Sequence, residues 1–312
     1  MSALIALLMA ASVGAARADA EEWSVQVGRG AQTLQGSLLR ADQSGPRAAV
    51  LLIGGSGPED RNGDDLKDGQ KSHTLQLLAL GLAEHGVSSL RFDKGGVGES
   101  APAGTAASVG ALVDEAVDWA RFLRRQPGVR CVVLLGHSEG ALIATLSAER
   151  IKTCGLVLVS GSSRNLGDLI EDQGPLTHRT PEQQAKVHEV VQSLRAGRPV
   201  PDAPAKLSSA FAPDAQAYTM SEINLDPVAE LAKVKVPVLV VQGDNDLQVK
   251  VDDAKRLAAA SGGEPVIIAG MNHVLKLAPT TMVGNFMTYL NPNLPLAPGV
   301  ASGVADFVQA RR

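Results

Sequence analysis

An α/β architecture, a mostly parallel sheet doubly covered by helices, is what this 312-residue chain predicts, and three observations carry it. Short apolar runs rich in Val, Leu and Ile alternate with longer amphipathic stretches, the pattern of successive βα units. Glycine-containing turns follow several of those runs, as they do where a strand hands over to a helix. At 45% hydrophobic and 20% charged residues, the chain can bury one large core.

Strands near Trp23 to Val27 and Thr33 to Leu39 make an antiparallel start. Alternation then begins with strand Ala48 to Ile53, helix His73 to His85, strand Val87 to Phe92, helix Val109 to Arg125, strand Cys131 to Leu135, helix Ala141 to Ile151 and strand Leu156 to Ser160. It resumes with strand Val236 to Val241, helix Val251 to Ala260, strand Pro265 to Ala269 and a closing helix near Val300 to Ala310, after a proline-rich connector from Asn291 to Pro298. Residues 162–230 interrupt the alternation, and within them Leu166 to Ile170, Pro181 to Leu194 and Pro227 to Lys233 can be helical. The expected division is therefore a core of residues 21–161 and 231–312 with a helical insertion at 162–230.

Ser138 lies in Gly136-His137-Ser138-Glu139-Gly140, directly after the apolar run Cys131 to Leu135 and directly before the helix-like Ala141 to Leu146. A G-x-S-x-G pentapeptide at a strand-to-helix turn is the setting of a nucleophile elbow. Such a turn forces its central residue into a strained conformation, and glycines two residues to either side let the chain pass closely without side-chain clashes. An ordinary β-to-α turn that happens to carry serine is the plainer reading.

A serine hydroxyl is a poor nucleophile at neutral pH, so the elbow requires a histidine to take its proton and an acid to orient that histidine. In folds built on this elbow the chain order is serine, acid, histidine. The turn Gln242 to Val249, leaving a buried strand, offers Asp246 as the acid and Asp244 as its rival; either is otherwise a turn aspartate bonded to its own backbone. Of the six histidines, His273 alone follows both serine and acid and lies just beyond a strand terminus. His137 is too close to Ser138 along the backbone to face its hydroxyl, and His178 and His188 fall in the polar insertion. Acyl transfer also needs backbone N–H groups aimed at a tetrahedral oxyanion. Glu139, next after the nucleophile, is one expected donor, and the loop Gly54-Gly55-Ser56-Gly57-Pro58 supplies the other, with Ser56 first and Gly57 next. No lysine followed by Ser or Thr closes that loop in the P-loop manner.

Together, Gly54 to Gly63, Arg91-Phe92-Asp93-Lys94-Gly95-Gly96-Val97-Gly98-Glu99-Ser100, Gly136 to Gly140 and Asn272-His273-Val274-Leu275-Lys276 resemble the successive signatures of the alpha/beta-hydrolase superfamily. Within it the chain is most similar to bacterial carboxylesterases of the EstD-like and dienelactone-hydrolase-related type, from Trp23 onward. One departure is Gly95, where such sequences often carry arginine. The resemblance implies the alpha/beta-hydrolase fold with a helical cap insertion over Ser138, a catalytic set of Ser138, Asp246 and His273, and an oxyanion hole of the Ser56 and Glu139 amides. It further implies hydrolysis of small-acyl carboxylic esters through an acyl-enzyme, with no metal and no organic cofactor. Thioesterases, lactonases and small-peptide hydrolases use the same triad, a secreted binding protein with a silent site is the alternative of another class, and a peripheral helical decoration is the alternative reading of the insertion.

Gly96 to Ala101 loosely matches a dinucleotide fingerprint, but Pro102 and Gly104 interrupt the helix that should start there, so nicotinamide binding is rejected. Arg91, Asp93 and Lys94, joined by Asp60 and Arg61, read instead as a charge network bracing the loops around the site. A net charge of −4 and 3% aromatic residues offer no basic stacking surface, so the expected partner is a small-molecule ester and not nucleic acid.

Ala3 to Val13 is apolar and Ala18-Asp19-Ala20 is a small-x-small site, so residues 1–20 read as a signal peptide and the mature chain as periplasmic or secreted. The run is too short for stable membrane insertion, and no Lys or Arg precedes it, which leaves a plain N-terminal apolar helix open. The two cysteines, Cys131 and Cys154, begin consecutive strands. Side by side in a parallel sheet they can form a disulfide, with free buried thiols as the alternative.

Overall fold

The computed structural model describes residues 21–29, 32–41, 47–104, 108–172 and 178–311; the expected leader, residues 1–20, lies outside them. The strands are β1 (Glu21–Arg29), β2 (Gln32–Arg40), β3 (Arg47–Ile53), β4 (Asp64–Asp65), β5 (Gln70–Lys71), β6 (Ser89–Phe92), β7 (Val129–His137), β8 (Gly155–Val159), β9 (Val238–Gly243) and β10 (Val266–Ile268). Eight of them form one sheet in the order β1-β2-β6-β3-β7-β8-β9-β10, while β4 and β5 pair as a separate hairpin. Only β1 with β2 and β2 with β6 run antiparallel within the large sheet; the remaining neighbours are parallel.

Central strands covered on both faces need apolar side chains at every position, which is why they appear as unbroken runs and not as alternation. In β3, Ala49, Leu51 and Ile53 join one apolar cluster, and Ala48, Val50 and Leu52 join another on the opposite face. Helices α1 (Thr74–Glu84) and α10 (Val300–Gln309) contribute to the second cluster; α2 (Val109–Arg124), α3 (Glu139–Ala148) and α8 (Val251–Ala260) contribute to the first. The fit of α2 is set by its spacing: Val109, Leu112, Val113, Ala116, Val117, Ala120 and Leu123 share one buried stripe, and the Ser108 hydroxyl caps the start by accepting from the Ala111 N–H. Trp119 on that stripe stacks on Phe92, ring centroids 5.7 Å apart. Each fully buried side chain of Leu size stabilises the fold by roughly 1.5–3 kcal/mol, so the sheet and its two covers form a firm base for the loops at its ends.

Between β8 and β9 the chain forms α4 (Leu166–Asp172), α5 (Pro181–Arg195), α6 (Gln216–Glu222) and α7 (Pro227–Leu231). Of these, α6 was not expected from the sequence. A capping box between Thr180 and Gln183, with Pro181 in the first turn, starts α5. Ile170, Val187, Val190, Val191, Leu194, Phe211 and Ile223 make an apolar cluster separate from the two that flank the sheet. Two bonds between Arg164 and Asp253, both 3.0 Å, tie the beginning of this segment to α8.

The adjacency of β7 and β8 brings Cys131 and Cys154 together as a disulfide, with Cα atoms 6.0 Å apart. In the loop-entropy model such a bond stabilises by roughly 3 kcal/mol. Among the described residues no helix is long and apolar enough to cross a membrane.

Candidate active site

At the end of β7 the chain reverses into α3 through Ser138, whose φ of 55° and ψ of −123° place it in a strained region for a residue with a side chain. Strain of this kind costs about 1–3 kcal/mol and persists only where the surroundings impose it. Here they do: the Ser138 N–H donates to Val159 O at 3.0 Å, and its own carbonyl accepts from the Ala141 N–H. A Cβ at Gly136 would lie 1.9 Å from Gly140 O, and one at Gly140 would lie 2.3 Å from Ile53 O, so no side chain fits at either position.

The structure brings Ser138, His273 and Asp246 into one line. Ser138 Oγ and His273 Nε2 are 3.0 Å apart, and His273 Nδ1 and Asp246 Oδ2 are 2.9 Å apart. Asp246 is held from several directions: Oδ1 accepts the N–H groups of Gln248 and Val249 at 2.8 and 3.0 Å, and Oδ2 also accepts from Gln242 Nε2 at 3.0 Å. Burial opposes ionisation of this carboxyl, but the His273 charge and these donors keep its pKa below the usual value. Burial likewise opposes the His273 cation, but Asp246, helped by Glu59, holds that pKa above 6.5. The rival Asp244 faces elsewhere, accepting the Gly270 N–H at 2.6 Å. With Nδ1 protonated against Asp246, the other ring nitrogen is free to accept the serine proton.

Glu139 is the first residue of α3, so its N–H has no intrahelical acceptor and stands at the positive end of the helix dipole. In the loop after β3, the Gly55 N–H is occupied by Glu59 Oε1 at 3.0 Å, whereas the Ser56 and Gly57 N–H groups have no acceptor among the described residues. Ser56, Ser138 and His273 line one cleft of about 330 Å³. Its lining also includes the polar Glu59, Asp65 and Gln70 and the apolar or aromatic Val274, Phe286 and Tyr289. Phe286 lies in α9 (Met282–Met287), a short helix not expected from the sequence. None of the described residues from 162–230 lines this cleft, although a cap over Ser138 was expected there. That segment comes near Ser138 through α6, where Tyr218 and Glu222 lie beside Glu139, the residue after it.

Residues 50–280 match the model of the alpha/beta hydrolase family. The chain belongs to that family. It is also 27% identical over 253 residues to Esterase EstD of Thermotoga maritima, an alignment covering 78% of this chain and 58% of that protein. The chain thus spans little more than half the length of that relative. Among solved structures it resembles Est1E from Butyrivibrio proteoclasticus, with a TM-score of 0.55 and 15% identity over 92% of this chain and 96% of the other. The Pyrococcus furiosus esterase Pf2001 gives a TM-score of 0.56 and 17% identity over 82% and 84% of the two chains. A dienelactone hydrolase from Anabaena variabilis gives 0.52 and 16% over 94% and 96%. At such identities these likenesses show a shared fold.

Other residues of this alpha/beta hydrolase shape the site in ways its sequence did not announce. His137, set aside as a base, donates from Nε2 to the His273 carbonyl at 2.8 Å and so anchors the loop that carries the ring. Burial, and then the nearby His273, lower its pKa to about 4, which keeps it neutral. Asn272 Nδ2 donates to Thr288 Oγ1 at 2.7 Å and fixes the same loop from the other flank. The expected charge network is present but differently wired. Arg61 forks onto Asp93 at 3.0 and 2.6 Å and reaches Glu99, while Arg91 pairs with Glu22. Asp60 accepts N–H groups of Asn62 and Asp64 within its own turn. Among the described residues no cluster of three or more His, Cys, Asp or Glu is arranged to hold a metal ion.

Proposed function

We propose that this alpha/beta hydrolase is a serine-dependent carboxylic ester hydrolase acting on esters of small acyl groups. The observation that carries the reading is the hydroxyl, imidazole and carboxylate in sequence at 3.0 and 2.9 Å, at a serine followed by a helix whose first N–H, that of Glu139, needs an acceptor. As His273 Nε2 takes its proton, Ser138 Oγ attacks the ester carbonyl carbon and the Ser56 and Glu139 amides receive the negative oxygen. Collapse expels the alcohol, protonated by His273, and water repeats the sequence to release the acid. A cleft of about 330 Å³ is at the small end of ligand pockets, which favours short acyl groups. The esterase and dienelactone hydrolase names of the relatives support ester cleavage.

Ser138→Ala should leave a folded protein with p-nitrophenyl acetate turnover reduced roughly 10⁵-fold or more. Turnover near that of the unsubstituted chain would overturn the assignment. The reading includes export, since a disulfide such as Cys131–Cys154 persists in oxidising compartments. N-terminal sequencing of the mature protein should begin at Glu21, and a chain retaining Met1 would contradict export by this leader.

A further inference from the structure

Lys94 is buried, only 7% exposed, and makes no direct ion pair among the described residues, although Glu59 and Glu115 lie within electrostatic reach of it. Its Nζ donates to two backbone carbonyls of the glycine-rich loop after β3, Gly55 O at 2.6 Å and Gly57 O at 2.5 Å. Burying an ammonium is costly, and using it on carbonyls calls for a reason beyond charge pairing. Peptide geometry supplies one. The Gly55 carbonyl and the Ser56 N–H belong to the same planar trans unit and point in opposite directions. Tying the oxygen to Lys94 therefore turns the Ser56 N–H away from Lys94; this N–H, like that of Gly57, has no acceptor among the described residues, and Ser56 lines the same cleft as Ser138. Glu59, by accepting the Gly55 N–H, stops the preceding unit from rotating in compensation. Gly55 itself sits against the nucleophile, since a Cβ there would be 3.2 Å from Ser138 Cβ.

We infer that Lys94 is a positioning residue for the oxyanion hole: it fixes the Gly55–Ser56 peptide so that the Ser56 N–H meets the negative oxygen, and its charge polarises that donor. The inference rests on the acyl-transfer reading of Ser138. It is tested with Lys94→Gln and Lys94→Arg by measuring kcat and KM on p-nitrophenyl acetate, with active serines counted by a fluorophosphonate. Inhibition by an alkylboronic acid, whose serine adduct carries the oxyanion, is measured alongside. In Lys94→Gln, kcat per titrated serine should fall about 10- to 100-fold with KM little changed, and boronate binding should weaken by a similar factor. Lys94→Arg should show the same split to a smaller degree, and it carries the test if the Gln variant does not fold. A merely structural lysine lowers the number of titratable serines and leaves kcat per serine unchanged, a result that overturns the inference. Unsubstituted protein that takes no fluorophosphonate overturns the acyl-transfer reading and the role of Lys94 with it; labelled protein with unaffected Lys94 variants overturns only the latter.

Discussion

The serine-histidine-aspartate line and the helical insertion are held in place by opposite means. Ser138, Asp246 and His273 stand on loops leaving β7, β9 and β10, and their mutual bonds cross 27 and 135 residues of sequence, so the sheet sets their spacing. In the insertion, Val187, Val190 and Val191 of α5 pack on Ile170, Phe211 and Ile223 of the same segment, and Arg195 pairs with Asp168 at 2.6 Å. It is also tied to the remainder: Tyr218, Leu225 and Val228 pack against the apolar cluster on one face of the sheet, Arg164 bonds Asp253, and the Ser221 hydroxyl accepts the Val109 N–H at 2.9 Å. Proton transfer needs partners fixed to a few tenths of an ångström, which a sheet end provides. A unit with its own small core can be damaged without moving that line.

Asp246→Asn strikes the sheet-mounted side hardest. The amide keeps the shape but can neither enforce the His273 tautomer nor stabilise its cation, so kcat should fall about 10⁴-fold in a folded protein. Turnover within tenfold of the parent would mean that another acid serves. The pH profile sharpens the point. Neutral imidazole is the active form, so activity is lost as pH falls through the His273 pKa, and with that pKa held above 6.5 the acid limb of kcat/KM should lie above 6.5 as well. Without the Asp246 charge, burial dominates and the limb should move to lower pH. A shift to higher pH in the variant would contradict the ion pair.

Phe211→Ala addresses the insertion. This ring is fully buried in the separate cluster, and its removal should cost about 3–5 kcal/mol in urea unfolding. The kcat per titrated serine should stay within twofold of the parent. If it drops in step with stability, the two regions are coupled and the contrast drawn above fails.

Glu222→Gln probes the seam between the two. Burial first, and then the neighbouring Glu139, raise the Glu222 pKa well above 4.5. The folded chain therefore holds a proton that the unfolded chain releases, and stability declines as pH rises above 4.5 through the folded pKa. The amide removes that penalty, so Tm at pH 8 should rise by roughly 2 °C with a smaller change at pH 5. A lower Tm at pH 8 would show that the ionised carboxylate is favourable there.

Much of this was legible in the sequence because strong local rules coincide with the tertiary result. The elbow glycines, the unbroken strand runs and the stripe of α2 each follow from short-range sequence patterns, and the helix Val251–Ala260 fell where its spacing put it. The β4–β5 hairpin was not legible, since strands of two residues show no period. Nor was α9, a six-residue helix containing Gly284. Asp246 and Asp244 share one turn, and only the fold decides which of them reaches His273 and which caps Gly270. His137 and Lys94 bond to carbonyls 136 and 39 residues away, and no spacing rule marks a side chain whose partner is distant backbone.

The most direct test is to treat the protein with a fluorophosphonate and map the adduct by mass spectrometry. One covalent adduct on the peptide containing Ser138 is expected, absent in Ser138→Ala and formed far more slowly in His273→Ala. Labelling that persists in Ser138→Ala, or that ignores the loss of His273, would show that the hydroxyl and imidazole found 3.0 Å apart do not work together.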